Sequence, residues 1–288
     1  MVDSQSQASV HGRSDYVPYD KRKLSYANTF HNPVQANIIR ALEWLTGKIP
    51  LLMLIRRFER QGVEAGPPFW PKALSMMGIE LRTPAREIRR IPASGPVIVV
   101  ANHPHGLVDG MVLAELIGRV RHDYKILTRS LLTGVEEIKQ FMIPVAFPHE
   151  DDAIKQNLDM RKQAMAQLAS GGVVVVFPSG SVAASETLFG PAVEAEWNPF
   201  TAKMIQRSGA TVVPIRFSGQ NSRAYQMANR ISATIRQGLL LHEVVYALGK
   251  PQRPIVGDPI SPEELAEWNG NPRGFMAWLR ERTLSLRV

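Results

Sequence analysis

From residue 95 onward, short solid apolar runs alternate with longer segments in which apolar residues recur every three or four positions. The runs GPVIVVA (95–101), YKILTR (124–129), VVVVF (173–177) and ATVVPIRF (210–217) read as strands. GPVIVVA and VVVVF in particular are short, rich in valine and apolar on both faces, as strands covered by helices on either side must be. HEVVYAL (242–248) is expected to be a further strand. Between them DGMVLAELIGRV (109–120), DDAIKQNLDMRKQAMAQLASGG (151–172) and NPFTAKMIQRSG (198–209) carry helical spacing. Gly171, Gly172 and Gly209 stop the last two. SPEELAEW (261–268) has the form of a capping box, with Ser261 as cap, Pro262 first and Glu264 three residues on. This alternation predicts an α/β class: a central mixed, largely parallel sheet flanked by helices. In such sheets, sites form on loops leaving the carboxyl ends of strands.

Ahead of that domain, expected over 91–288, the pattern differs. Residues 1–30 read as a flexible or extended arm, and 31–90 as an amphipathic helical segment suited to membrane association. Pro33 fits a first helical position. Ile38, Leu42 and Leu45 follow at helical spacing with Trp44 beside them, and a turn is expected at Gly47 and Pro50. LLMLIRRFERQG then runs from apolar to basic through Arg56, Arg57 and Arg60, and residues 67–81 hold Phe69, Trp70, Leu74, Met76 and Met77. These faces suit either a lipid interface or packing on the main domain. The basic stretch RTPAREIRR (82–90) tips the reading toward anionic lipid.

Composition narrows the field. With no Cys among 288 residues, disulfides, thiolate ligands and Cys nucleophiles are excluded. A net charge of +8 draws the chain to anions. Aromatics are only 7% and no nucleic-acid-binding motif occurs, so nucleic acid is not expected as a partner. Residues 1–20 are polar and lack a signal-peptide core. The run IPLLMLI (49–55) is far short of the ~20 residues a span requires.

The candidate chemistry sits in VVANHPHGLVDG (99–110), where an apolar run stops at Asn102, His103, Pro104 and His105, with Asp109 close behind. Three readings compete. His103 and His105 with Asp109 resemble a metal site, to which His122, Glu150 or Asp151 would add a ligand. Alternatively, Asp109 caps the helix and the histidines satisfy loop carbonyls. In the third, a strand-end imidazole takes a proton from a substrate hydroxyl while Asp109 holds its tautomer.

NHPHGLVDG resembles the signature block of the lysophospholipid and glycerolipid acyltransferases: a strand, Asn-His, a short spacer, Asp. VVVVFPSGS (173–181) stands in the place of their Phe-Pro-Glu-Gly block, and ATVVPIRF in that of their Val-Pro strand. The resemblance spans residues 70–260. GPAVEAEWNPFTAKMIQRSGATVVPIRFSGQNSR further resembles the bacterial branch that includes lyso-ornithine-lipid acyltransferases. Three departures stand out. Five residues separate His103 from Asp109 instead of four, Ser179 replaces the usual Glu, and FMIPVAFPHED (141–151) lacks the usual phosphate-binding Arg. Arg forks bind phosphate bidentately, so these losses imply a phosphate-free acceptor, a lyso-aminolipid such as lyso-ornithine lipid.

The resemblance implies an O-acyltransferase with no cofactor and no metal, using acyl carrier protein or coenzyme A as acyl donor. It also implies a peripheral position on the cytoplasmic face of the inner membrane. His103 would be the general base and Asp109 its orienter. Backbone N–H groups near Gly180 and Ser181 would serve the oxyanion. Asn102, His105, Ser179, Gly180 and Ser181, with Gln220, Asn221 and Arg223 of SGQNSR (218–223), are expected to bind substrate. Four alternatives stay open. They are a metal-dependent hydrolase on His103, His105 and Asp109, a Ser179 or Ser181 nucleophile, an acyltransferase acting on lysophosphatidic acid, and a non-enzymatic membrane-binding protein. For SGQNSR the plainer alternative is a helix cap at Asn221 or Ser222.

Overall fold

The computed structural model describes residues 19–62, 65–128, 135–146 and 152–287. The chain begins with α1 (Pro33–Glu43), where the Asn32 side chain accepts the N–H groups of Val34 and Gln35. A π turn, Trp44–Lys48, carries it without a break into α2 (Ile49–Arg60), and α3 (Phe69–Met76) and α4 (Ala85–Ile88) follow. Next come β1 (Val97–Ala101), α5 (Leu107–Gly118), β2 (Tyr124–Thr128), β3 (Met142–Pro144), α6 (Ala153–Ala169) and β4 (Val173–Val176). A small hairpin, β5 (Ala184–Ser185) and β6 (Ala192–Val193), precedes α7 (Pro199–Ser208) and β7 (Thr211–Arg216). Three consecutive helices, α8 (Arg223–Ile231), α9 (Ala233–Gly238) and α10 (Leu240–Tyr246), lead to β8 (Ile255–Val256), α11 (Pro262–Leu265) and α12 (Pro272–Ser285).

The main sheet has the order β3-β2-β4-β1-β7-β8, parallel throughout except for β8, which runs antiparallel to β7. The valine runs divide by parity. Val97, Val99, Val173 and Val175 join one core with Trp70, Leu74, Leu113, Leu116 and Ile117 from α3 and α5. Ile98, Val100, Val174 and Val176 join a second core with α6, α7 and α12, through Met160, Leu168, Ile205, Phe275 and Leu279. Burial on both faces is why these strands read as unbroken apolar runs. Register aligns their carboxyl ends: Val100 faces Val176, and Ala101 faces Ile215. The residues that follow, Asn102, Phe177 and Phe217, therefore emerge side by side.

Several expectations are corrected. HEVVYAL is helical, not a strand: Leu241 and Val244 bury on one helical face with Ala247, and tertiary packing overrides the strand preference of the two valines. No turn forms at Gly47 and Pro50. Gly47 is required by a close approach, since a Cβ there would lie 2.6 Å from the His242 nitrogen. The arm expected over 1–30 is packed from residue 19 onward, with residues 1–18 outside the described ones. Buried Glu43 accepts the Ser25 hydroxyl (2.6 Å) and the Tyr26 N–H (2.7 Å), and Leu24 and Ala27 are buried. Within the 31–90 segment, Trp70 on α3 is fully buried in the main core, so this part packs on the domain. α5 begins at Leu107, so Asp109 lies in its first turn and not at its cap. The capping box is half formed. Ser261 accepts the Glu264 N–H, while the Glu264 carboxylate pairs with Arg282 at 3.0 Å.

Candidate active site

β1 delivers Asn102, His103 and His105 to the carboxyl edge of the sheet. Gly106, at φ 70, turns the chain back so that α5 brings Asp109 under the loop. Asp109 is completely buried. One carboxylate oxygen lies 3.1 Å from His103 Nδ1 and accepts the His105 N–H at 2.8 Å. The other lies 2.9 Å from His105 Nδ1. Burial alone would raise the Asp109 pKa, but the two imidazoles outweigh it and the net shift is downward. For His105, burial pulls the pKa down, the Asp109 charge and hydrogen bond pull it up, and the net is upward. The His103 ring stacks on Phe177 at 3.9 Å between centroids.

Below this pair lies Glu194, a buried carboxylate that accepts the His103 N–H (3.1 Å) and the Trp197 indole N–H (3.0 Å). Its burial raises its pKa. Glu194 and the stacking partner Phe177 were not anticipated: an acid in a loop reads as solvated, and Phe177 reads as the end of a strand. His103 and His105 both line a cavity of about 400 Å³, along with Gly180, Ser181, Asn157, Arg161 and Phe200.

The remaining expected residues divide. Gly180 and Ser181 reach the cavity, but the Gly180 N–H is committed to the Phe177 carbonyl at 2.9 Å, a turn that puts Gly180 at φ 66. Of the two expected oxyanion donors, this leaves Ser181. Ser179 donates its hydroxyl to the Ser181 carbonyl at 2.9 Å. Asn102 was expected to bind substrate. Instead its amide is spent on Phe217, accepting the N–H at 2.7 Å and donating to the carbonyl at 2.9 Å, which ties the β1 loop to the β7 loop. Gln220 and Arg223 also lie off the cavity wall. Gln220 accepts the Ala192 N–H at 2.9 Å, and Arg223 donates to the carbonyls of Phe189 and Gly190, at 3.1 and 2.8 Å. Asn221 is buried, and Ser222 caps α8 by accepting the Tyr225 N–H.

The metal reading loses His122 as an extra ligand. His122 precedes β2, at the opposite edge of the parallel sheet from His103. Glu150 and Asp151 lie outside the described residues. Both Nδ1 atoms of the pair are spent on Asp109, and no cluster of three or more His, Asp or Glu suited to a metal ion occurs among the described residues.

A sequence profile described as Acyltransferase matches residues 70–287. The chain belongs to this acyltransferase family. Its β1 and β4 blocks, and the β7 strand on the other side of β1 in the sheet, all fall inside the matched stretch. The chain is similar to the lyso-glycine lipid O-acyltransferase of Phocaeicola vulgatus, 27% identical over 154 residues, which is 52% of each protein. It is also similar to the lyso-glycine lipid O-acyltransferase of Bacteroides thetaiotaomicron, 29% identical over 155 residues, 52% of this chain and 54% of the relative. The matched stretch thus spans about half the length of each curated relative. Among solved structures, the 1-acyl-sn-glycerophosphate acyltransferase of Thermotoga maritima aligns at a TM-score of 0.49 and 12% identity, over 89% of this chain and 82% of that one. A likeness that distant transfers nothing residue by residue.

Proposed function

We propose that this acyltransferase-family chain moves a fatty acyl group from an acyl thioester, on acyl carrier protein or coenzyme A, to the hydroxyl of a lyso-lipid with an amino-acid head. One observation carries the reading: an imidazole on a cavity wall, held through Nδ1 by a buried carboxylate. With Asp109 on Nδ1 the ring proton sits there, and Nε2 keeps its lone pair. Nε2 takes the proton of the lyso-lipid hydroxyl as the alkoxide oxygen bonds to the thioester carbonyl carbon. The C–S bond then breaks, and the leaving thiolate takes the proton back from the imidazolium. The Ser181 N–H is the candidate donor to the carbonyl oxygen in between. The relatives named for lyso-glycine lipid, and the lack of Arg in 141–151, favour an amino-acid head over a phosphate. Lyso-ornithine lipid and lyso-glycine lipid share that class.

The same reading places the protein on an anionic membrane surface, the cytoplasmic face of a bacterial inner membrane. No helix among the described residues is long and apolar enough to cross a bilayer. On the continuous α1–α2 rod, Val34, Ile38, Leu45, Ile49 and Met53 follow one helical face and are exposed, Leu45 by 83%, with Trp44 beside them. Exposed Arg56, Arg57 and Arg60 stand at the end of this stripe. An apolar face flanked by Arg suits the headgroup boundary.

The test is direct. Purified protein is incubated with labelled acyl-acyl carrier protein or acyl-CoA and a panel of lyso-lipids. Label in an amino-acid-headed product, lost in His103→Ala, is the expected result. Preferential transfer to lysophosphatidic acid overturns the acceptor, and transfer to none overturns the function.

A further inference from the structure

We infer that Arg161 and Asn157, on α6, form a subsite for the head-group carboxylate and amide of an N-acylated amino-acid lyso-lipid. This rests on the acceptor class proposed above. α6 begins after β3 and packs on β2, β3 and β4, so its early turns lie at the sheet edge that holds His103. Asn157 and Arg161 are four residues apart and share a helix face. Both line the His103 cavity.

Three observations give that wall its chemistry. The Arg161 guanidinium lies 4.7 Å over the Phe200 ring, itself part of the wall. Stacking uses the flat face of the guanidinium and leaves its N–H edge, the part that forks onto two coplanar oxygens. Among the described residues no carboxylate pairs with Arg161, and no Asp or Glu lines the cavity. The second cavity-lining arginine, Arg236, already donates to Asn229 Oδ1 at 2.8 Å. Finally, Asn157 Oδ1 is buried with no hydrogen-bond partner, an acceptor awaiting an N–H.

An amino acid held to a fatty chain through its nitrogen offers the matching groups: a carboxylate for the Arg161 fork and an amide N–H for Asn157. Glycine in such an amide has no side chain to accommodate. Held at this end, the head leaves the chain hydroxyl to reach His103. Charge thus enters the cavity from a helix instead of from the 141–151 block, which has no Arg.

The test compares wild type, Arg161→Gln and Arg161→Lys in transfer to an N-(hydroxyacyl)glycine and to its uncharged glycinamide counterpart. In Arg161→Gln the acceptor KM for the glycine compound rises about 10–100-fold, the loss expected of a charged hydrogen-bonded pair, while the donor KM and kcat hold. Arg161→Lys recovers part of it. On the glycinamide, wild type and Arg161→Gln perform alike. An unchanged acceptor KM, an equal loss on the glycinamide, or a change confined to the donor KM overturns the subsite while leaving acyl transfer intact. Wild type acylating neither compound nor any other lyso-lipid overturns the underlying reading itself.

Discussion

Two loops leave neighbouring strands at the same edge of the sheet and end up with opposite fates. The loop after β1 presents Asn102, His103 and His105, and the loop after β7 presents Gln220, Asn221 and Arg223. They are stitched together by the Asn102 amide on Phe217. The first keeps its imidazoles on the cavity because their partner is a side chain, Asp109, that rises from the next helix and binds only their Nδ1 atoms. In the second, Gln220 and Arg223 are consumed by main-chain groups around the β5–β6 hairpin. A polar loop at a strand end becomes a site when something reserves its side chains for it. Otherwise the backbone takes them.

The largest effects belong to the first loop. His103→Ala should cut transfer by about 10²–10⁴, the usual share of a general base. Its loss of stability should be smaller than that of Asp109→Asn, since it removes the Phe177 stack and one of the hydrogen bonds to Asp109 but leaves His105 in place. Asp109→Asn should cost activity on a similar scale and also about 1–3 kcal/mol of stability, because a fully buried acceptor of three hydrogen bonds loses part of its set. Turnover paired with chemical denaturation separates the two variants. If Arg223→Gln proved as damaging to kcat as His103→Ala, the contrast between the loops would be wrong.

His105→Gln gives a smaller and more informative effect. His105 faces Asp109 and senses Glu243 and Lys250, and the carboxylate it shares with His103 keeps its pKa raised. When protonated, its positive charge competes with His103 for Asp109, and the upward shift extends the pH range over which it does so. Removing it should move the acid limb of the kcat/KM profile to higher pH, with less than about a tenfold change at the optimum. Stability carries the same signature. A raised His stabilises below its unfolded pKa and loses that contribution as pH climbs through the folded value. The lowered Asp109 does the reverse, contributing above its unfolded pKa and losing it as pH falls through the folded one. Denaturation midpoints against pH should lose their alkaline-side decline in His105→Gln.

The strands and the first loop were legible because their physics is local. Valines buried on two faces leave unbroken runs, and a polar break after such a run marks a strand end. What escaped is what depends on the other side of a contact. Val244 and Val245 look like strand residues until Leu241 and Ala247 bury beside them. Glu43 and Glu194 look solvated on a helix and in a loop, yet each is buried and holds two donors. Arg161 reads as one more charge on the exposed face of a long helix, and only the cavity sets it apart. The SGQNSR cluster misled for the converse reason: its residue types suit a head group, and their backbone partners some thirty residues upstream carry no periodic signal.

The smallest predicted effect is the sharpest check on the second loop. Gln220→Ala removes one half-buried hydrogen bond to the Ala192 N–H, so stability should fall by about 0.5–1.5 kcal/mol, read from the denaturant midpoint. Because Gln220 lies off the cavity wall, acceptor KM and kcat should stay within about twofold of wild type, inside the scatter of a surface substitution. A tenfold rise in acceptor KM with stability unchanged would mean that this side chain leaves Ala192 when substrate arrives. The β7 loop would then join the β1 loop as part of the binding surface, and the division between them would not hold.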